Sequence, residues 1–298
     1  MKNVPFKGII AYPITPFDQN EKVDIPLFKH LVERLVTSGN HGIAPLGSTG
    51  VMPYLSDDEK EAITEATLHQ VKGRIPTLVG VSNLTTEKTI HHARFAEKAG
   101  ADAVMIIPMS YWKLTDNEIV SHYDAVARKI SIPIMAYNNP ATSGVDMSPD
   151  LLKRLLEIPN VTMIKESSGD IQRMYYLRRE LGEDVAFYNG SNPLALAAFS
   201  AGARGWCTAA PNLIPELNIG LYHAVQEGNL EKAKDIFYRQ FDLLQFIVNK
   251  GLPRAVKAGL NILGEEGGNL RSPLQPLHEK ESEELKNIMT TIVNQYII

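Results

Sequence analysis

The 298-residue chain contains one cysteine, Cys207, which leaves no partner for an intrachain disulfide and no Cys-x-x-Cys metal pair. No apolar run approaches the roughly 20 residues of a membrane span. Residues 1–7 lead into Gly8-Ile9-Ile10 without the apolar core and cleavage site of a secretory leader. Clustered basic charge is missing too. Thirty Lys plus Arg against 34 Asp plus Glu give a net charge of −4, with no stripe able to follow a phosphate backbone. No Gly-x-Gly-x-x-Gly follows the first apolar run, and the chain has no Gly-x-Ser-x-Gly elbow. A reducing, cytoplasmic setting is therefore expected, with neither nucleic acid nor membrane as partner. Hydride transfer and serine-hydrolase chemistry drop out.

What the chain does have is a 44% hydrophobic content arranged as short apolar runs alternating with amphipathic segments. Strands buried on both faces read as such runs. Eight are expected, at residues 8–15, 42–47, 75–82, 103–108, 133–138, 161–166, 186–190 and 205–209. Between them, helical patterns cover 26–38, 57–71, 86–98, 116–129, 149–157 and 171–180. Capping residues open several of these, including the box Ser56-Asp57-Asp58-Glu59. Eight βα units are the number at which a parallel sheet closes, so a (β/α)8 TIM barrel is expected over residues 1–228, with an open doubly wound sheet as the rival. Helices at 230–248, 253–263 and 279–296 form a C-terminal helical region, 229–298, expected to pack on the barrel.

Reacting groups in such a barrel come from the C-terminal strand ends and the loops beyond them. The second strand runs into Gly47-Ser48-Thr49-Gly50, whose amides and hydroxyls suit a carboxylate or phosphate. Alone, the segment is equally a tight loop whose hydroxyls bond to itself. The fifth strand ends at Tyr137, a phenol that either relays a proton or completes the core. The sixth, Val161-Thr162-Met163-Ile164, is apolar and then delivers Lys165, which period-two alternation puts on the face of Val161 and Met163. Inside a barrel, burial disfavours the ammonium relative to the free amine, the nucleophile for a carbonyl. The alternative is a solvent-reaching lysine paired with Glu166 or Asp170. His91 and His92 lie within a helix without metal-ligand spacing to an Asp, Glu or Cys, which suggests a surface role. Cys207 reads as a pocket wall.

Together these residues resemble the dihydrodipicolinate synthase and N-acetylneuraminate lyase superfamily of Schiff-base aldolases. The match rests on Thr15-Pro16-Phe17 with Asp24, Gly47-Ser48-Thr49-Gly50, Tyr137-Asn138-x-Pro140 with Gly144, Lys165-Glu166, Gly202-Ala203-x-Gly205 and Arg271-Ser272-Pro273-Leu274. The resemblance implies a lysine imine at Lys165 with a 2-oxo acid such as pyruvate, without metal or cofactor. It further implies proton transfer by Tyr137, carboxylate binding by Gly47, Ser48 and Thr49, and a pocket lined by Gly190. A homotetramer built as a dimer of dimers is implied as well, with Tyr111 crossing an interface to relay protons with Thr49.

Departures from the family pattern bear on specificity. Thr142 stands where the lysine-precursor synthases carry an arginine for the second substrate's carboxylate, and Val51 replaces a common glutamate. These disfavour 4-hydroxy-tetrahydrodipicolinate synthase activity. They favour a lyase or aldolase for another small 2-oxo acid, such as a 2-keto-3-deoxy-sugar acid. An imine-dependent dehydratase or deaminase of a 2-oxo or cyclic imino acid, and a non-catalytic 2-oxo acid sensor, remain as alternatives.

Overall fold

Each short apolar run becomes a strand because both of its faces are covered. The strands are β1 (Gly8–Ala11), β2 (Gly42–Ile43), β3 (Leu78–Gly80), β4 (Ala103–Ile106), β5 (Ile134–Asn138), β6 (Val161–Glu166), β7 (Ala186–Asn189) and β8 (Gly205–Thr208). The structure, a computed structural model, describes residues 6–296. Residues 1–5, part of the stretch read for a leader, lie outside the described residues. The strands pair in parallel in the order β2-β1-β8-β7-β6-β5-β4-β3, and a parallel bridge from Ile43 to Thr77 joins the two ends. The sheet is therefore a closed (β/α)8 barrel, and the open-sheet alternative falls.

The crossover helices are α1 (Ile25–Thr37), α2 (Asp57–Val71), α3 (Thr86–Ala99), α4 (Asp116–Ala127), α6 (Pro149–Leu156), α7 (Ile171–Leu181), α8 (Ala195–Ser200) and α9 (Pro215–Gln226), with a single turn, α5 (Pro140–Ser143), after β5. Side-chain caps fix where several begin. Asp24 accepts from the Leu27 amide, and Ser56 and Glu59 form the reciprocal box at α2. Alternation along the strands divides the interior in two. Ile10, Tyr12, Met105, Met135, Tyr137, Met163 and Cys207 fill the lumen, while Ile9, Ala11, Ile106, Ile134 and Ile164 face the helices.

At β6 the expected alternation fails at its start. Ile134 pairs with Val161 but Met135 pairs with Met163, so one extra residue, Thr162, is accommodated in a bulge. Val161 consequently joins the outer layer, whereas Met163 and Lys165 keep the luminal face. The second strand is also shorter than expected. Pro45 lacks an amide for the ladder and Leu46 adopts φ 60°, so β2 stops at Ile43 and the chain turns into the loop.

Three further helices, α10 (Leu230–Lys250), α11 (Leu252–Ile262) and α12 (Glu279–Tyr296), follow. Phe237, Leu244, Val256, Leu260 and Met289 from these helices are buried in the same cluster as the barrel's outer layer. Among the described residues, no helix is long and apolar enough to cross a membrane.

The segment joining α11 to α12 runs back over the mouth. Asn269 exchanges backbone hydrogen bonds with Phe17 just beyond β1. Arg271 grips both Glu59 oxygens (2.6 and 2.8 Å) and donates to the carbonyls of Tyr54 (2.9 Å) and Glu21. The planar guanidinium fork suits this two-pronged hold on a carboxylate. Thr15 ties the same region to the second loop by donating to the Gly50 carbonyl at 2.8 Å.

Lys257, on α11, donates to the Asn269 carbonyl but has no carboxylate partner among the described residues, and burial lowers its amine to about 7. An unfolded lysine takes up its proton near pH 10.5, well before the folded one. Between those values the unfolded chain binds more protons, so this group makes stability rise with pH. Lys257→Met removes that contribution. Urea midpoints of wild type and variant at pH 7 and 9.5 are expected to show wild type gaining on the variant as pH rises. Parallel shifts in the two proteins would refute the assignment.

Candidate active site

Lys165 emerges at the C-terminal end of β6 with 4% of its surface exposed, inside the lumen. Among the described residues no ion pair reaches it, so the expected alternative of pairing with Glu166 or Asp170 is not realised. Glu166 points to the opposite face, where it accepts from Asn138 Nδ2 (3.1 and 3.2 Å) and from the Ser168 amide (2.6 Å). Burial raises the Glu166 carboxyl, although the Ser168 and Asn138 hydrogen bonds and Arg173 oppose it. Asn138 and Glu166 thereby lock the ends of the two strands that present Tyr137 and Lys165.

In place of a carboxylate, Lys165 has two phenols. Its Nζ lies 3.8 Å from the ring centroid of Tyr137 and 4.0 Å from that of Tyr12. A desolvated cation–π contact contributes about 2 kcal/mol, so the pair offsets a good part of the several kcal/mol that burying an ammonium costs.

The two phenols are tuned apart. Burial, reinforced by Cys207, holds Tyr12 well above the usual phenol range, and its hydroxyl donates to Met105 Sδ at 3.1 Å. Burial pushes Tyr137 upward too, but there the Lys165 charge and hydrogen bonds from Asn139, Ser48 and Lys165 prevail and lower it. Asn139 Nδ2 donates to the Tyr137 hydroxyl at 2.7 Å. Of the two, Tyr137 is thus the group suited to exchanging protons.

Close approach explains two of the expected glycines. A Cβ on Gly47 would lie 2.5 Å from the Tyr12 ring, and one on Gly190 would collide with Ser167 Oγ and lie 2.7 Å from Lys165 Cε. Both positions clear space around the amine.

Gly47, Ser48, Tyr137 and Thr142 border one cavity of about 70 Å³ at the mouth, together with Met52, Met105, Ile107 and Met109. The roomier groove along α7, beside Arg173 and Tyr176, holds none of these residues. Gly190 adjoins Lys165 instead of the cavity wall, and Cys207 is buried beside Tyr12 and Lys165, where burial raises its thiol. Cys207 is thus part of the floor and not of the wall. Thr49 is buried, but the partners of the Tyr137 hydroxyl are Asn139, Ser48 and Lys165. Tyr111 stands outside the cavity, 90% exposed and edge-on to Trp112, itself 79% exposed.

Tyr12 and Asn139 escaped the sequence reading. Alternation from Ile10 places Tyr12 in the lumen and could have revealed it, whereas nothing in the spacing marks Asn139. His91 keeps its expected surface position, whereas His92 departs from expectation. His92 is buried, with Nε2 3.0 Å from Asp57 Oδ1, and His91 meets Glu61 at 2.7 Å, both partners coming from α2 across space. Glu61, His91 and His92 bring their potential ligand atoms within 4.8 Å of one another, although Lys88 and Lys60 already crowd the neighbouring Asp57.

A closed parallel barrel with a luminal lysine against a phenol of lowered pKa is the architecture of a Schiff-base-forming lyase. Whole-chain comparisons agree. The profile of the dihydrodipicolinate synthetase family matches residues 5–292, and the chain belongs to that family. It is 33% identical over 290 residues to the 4-hydroxy-tetrahydrodipicolinate synthase of Methanospirillum hungatei, covering 96% of this chain and 99% of that one. A solved structure from Pseudomonas aeruginosa, provisionally assigned as a dihydrodipicolinate synthetase, superposes with a TM-score of 0.94 at 54% identity, over 96% of this chain and 99% of that one. The 4-hydroxy-tetrahydrodipicolinate synthase of Methylacidiphilum fumariolicum gives a TM-score of 0.93 at 30% identity, covering 97% and 96%.

Proposed function

We propose that the protein is a class I lyase or aldolase acting on a small 2-oxo acid through an imine at Lys165, in the barrel 1–228 buttressed by the helical region 229–298. The observation that carries this is Lys165 Nζ lying against the Tyr137 ring, with the Ser48 loop bonded to the same phenol. The substrate carboxylate sits on the Gly47-Ser48-Thr49 loop, and the amine adds to C2. Tyr137 protonates the departing hydroxyl, leaving an iminium, water and a phenolate. The phenolate takes the proton whose loss lets the bond beyond C3 break, and the electron pair enters the enamine. Tyr137 returns a proton to C3, and hydrolysis frees the amine. Tyr111, exposed with Trp112 on the loop after β4, serves the Thr49 relay of a second copy in a homotetramer. Borohydride added to the protein with each of a panel of 2-oxo acids, followed by intact-mass measurement, tests the reading. A mass increment names the bound carbon skeleton, and its absence across the panel removes the imine.

A second reading, 4-hydroxy-tetrahydrodipicolinate synthase, is favoured by the names of the relatives. Against it, the cavity is bordered by Thr142 and by no charged side chain among the described residues, and Thr142 Oγ1 already faces the Asn139 carbonyl at 3.4 Å. Arg204, a cation that sequence position suggests near the mouth, lies just before β8 at the opposite end, where its carbonyl accepts from the Gly8 amide. A lost charge-assisted contact costs about 1.5–3 kcal/mol, roughly ten- to a hundred-fold in kcat/KM. Condensation of pyruvate with aspartate semialdehyde is therefore expected to stay below about 10⁴ M⁻¹s⁻¹, the low edge of ordinary enzymes. A faster measured rate would establish the synthase.

A further inference from the structure

We infer that the carbon chain beyond the reacting bond is short and apolar: the substrate is a 4-hydroxy-2-oxo acid whose C4 carries an aliphatic group, cleaved to pyruvate and an aliphatic aldehyde. The inference rests on the imine reading and deepens it. Beyond Ser48 and Tyr137, the walls facing the substrate's far end are Met52, Ile107 and Met109. Two of the hydroxyls that could have served a polyol already give up their protons. Thr142 and Ser143 donate to the Asn139 carbonyl (3.4 and 3.0 Å), whereas Ser82 accepts from the Ile107 amide at 2.8 Å and keeps its own proton to give. A sugar-acid chain would leave its water here for fewer partners than its hydroxyls need, and a second carboxylate would meet no cation among the described residues bordering the cavity. An aliphatic group loses nothing by the same transfer, and flexible methionine walls adapt to chains of differing shape. The small cavity, about 70 Å³, limits the group to a few carbons.

Cleavage then balances without a co-reactant. The Lys165 iminium draws in the C3–C4 pair, the C4 hydroxyl proton passes to Tyr137, the aldehyde departs, and water returns pyruvate from the reprotonated enamine.

The test runs the reaction in the synthetic direction. Pyruvate is offered with ethanal, propanal, butanal, glyceraldehyde or aspartate semialdehyde, the hydroxy-oxo acid product is read by mass spectrometry, and borohydride trapping by pyruvate is measured in parallel. We expect kcat/KM to climb roughly fourfold per added methylene, the equivalent of about 0.8 kcal/mol each, with butanal at least about tenfold above glyceraldehyde. Met109→Ser, on a half-buried loop position, is expected to flatten that climb. Preference for glyceraldehyde or aspartate semialdehyde by an enzyme that pyruvate still traps overturns the apolar assignment and leaves the imine standing. Absence of trapping by pyruvate overturns the pyruvate-forming cleavage, and absence across the panel of 2-oxo acids overturns the imine with it. Should Met109→Ser fail to fold, the aldehyde series in the wild type decides alone.

Discussion

Lys165→Ala is expected to abolish borohydride labelling by 2-oxo acids and to lower kcat by roughly four to six orders of magnitude, since the covalent route disappears with its nucleophile. The fold is not at risk in the same way. The side chain is buried without a carboxylate, so its removal strands no counter-charge, and Tyr12 and Tyr137 lose only the cation between their rings. Thermal unfolding of the variant is expected to stay close to wild type, which separates lost chemistry from lost structure. Lys165→Arg sharpens the point, because a guanidinium keeps the charge yet cannot form the imine. Labelling of Lys165→Ala at the wild-type level would place the nucleophile elsewhere.

Tyr137→Phe is expected to lower kcat about 10²- to 10⁴-fold with a much smaller change in KM, the ordinary worth of a positioned acid–base group. Phenylalanine preserves the ring against Lys165 and removes only the hydroxyl bonded to Asn139. A pH profile adds a second readout. Because Tyr137 is lowered from the usual 10.0, it ionises earlier as pH rises, and protonation of the departing hydroxyl then fails. Wild-type activity is expected to fall on the alkaline side below pH 10, and that limb is expected to vanish in the variant. Near-normal kcat in Tyr137→Phe would reduce the residue to packing.

Much of this was legible in the sequence because strand runs and caps are local signals. The eight runs, the box at Ser56 and Glu59, and the luminal direction of Lys165 all follow from spacing over a few residues. The misjudged parts depend on distant residues. Val161 turns outward because β6 bulges against β5, which no pattern within β6 reveals. His92 is buried by Asp57, thirty-five positions away. The apolar mouth is assembled from Met52 on the loop after β2 and from Ile107 and Met109 on the loop after β4, so its character exists only once the barrel has closed.

The grip of Arg271 on Glu59 and Tyr54 gives the site an order of completion during synthesis. The residue bracing the turn after the Ser48 loop leaves the ribosome long after that loop itself, once the whole barrel has been made. A nascent chain halted after β8 would already hold every residue assigned to the reaction, with the brace on Tyr54 still to come. Such a chain could close its barrel while the carboxylate loop remained loosely held, and catalytic competence would arrive only with the segment that carries Arg271.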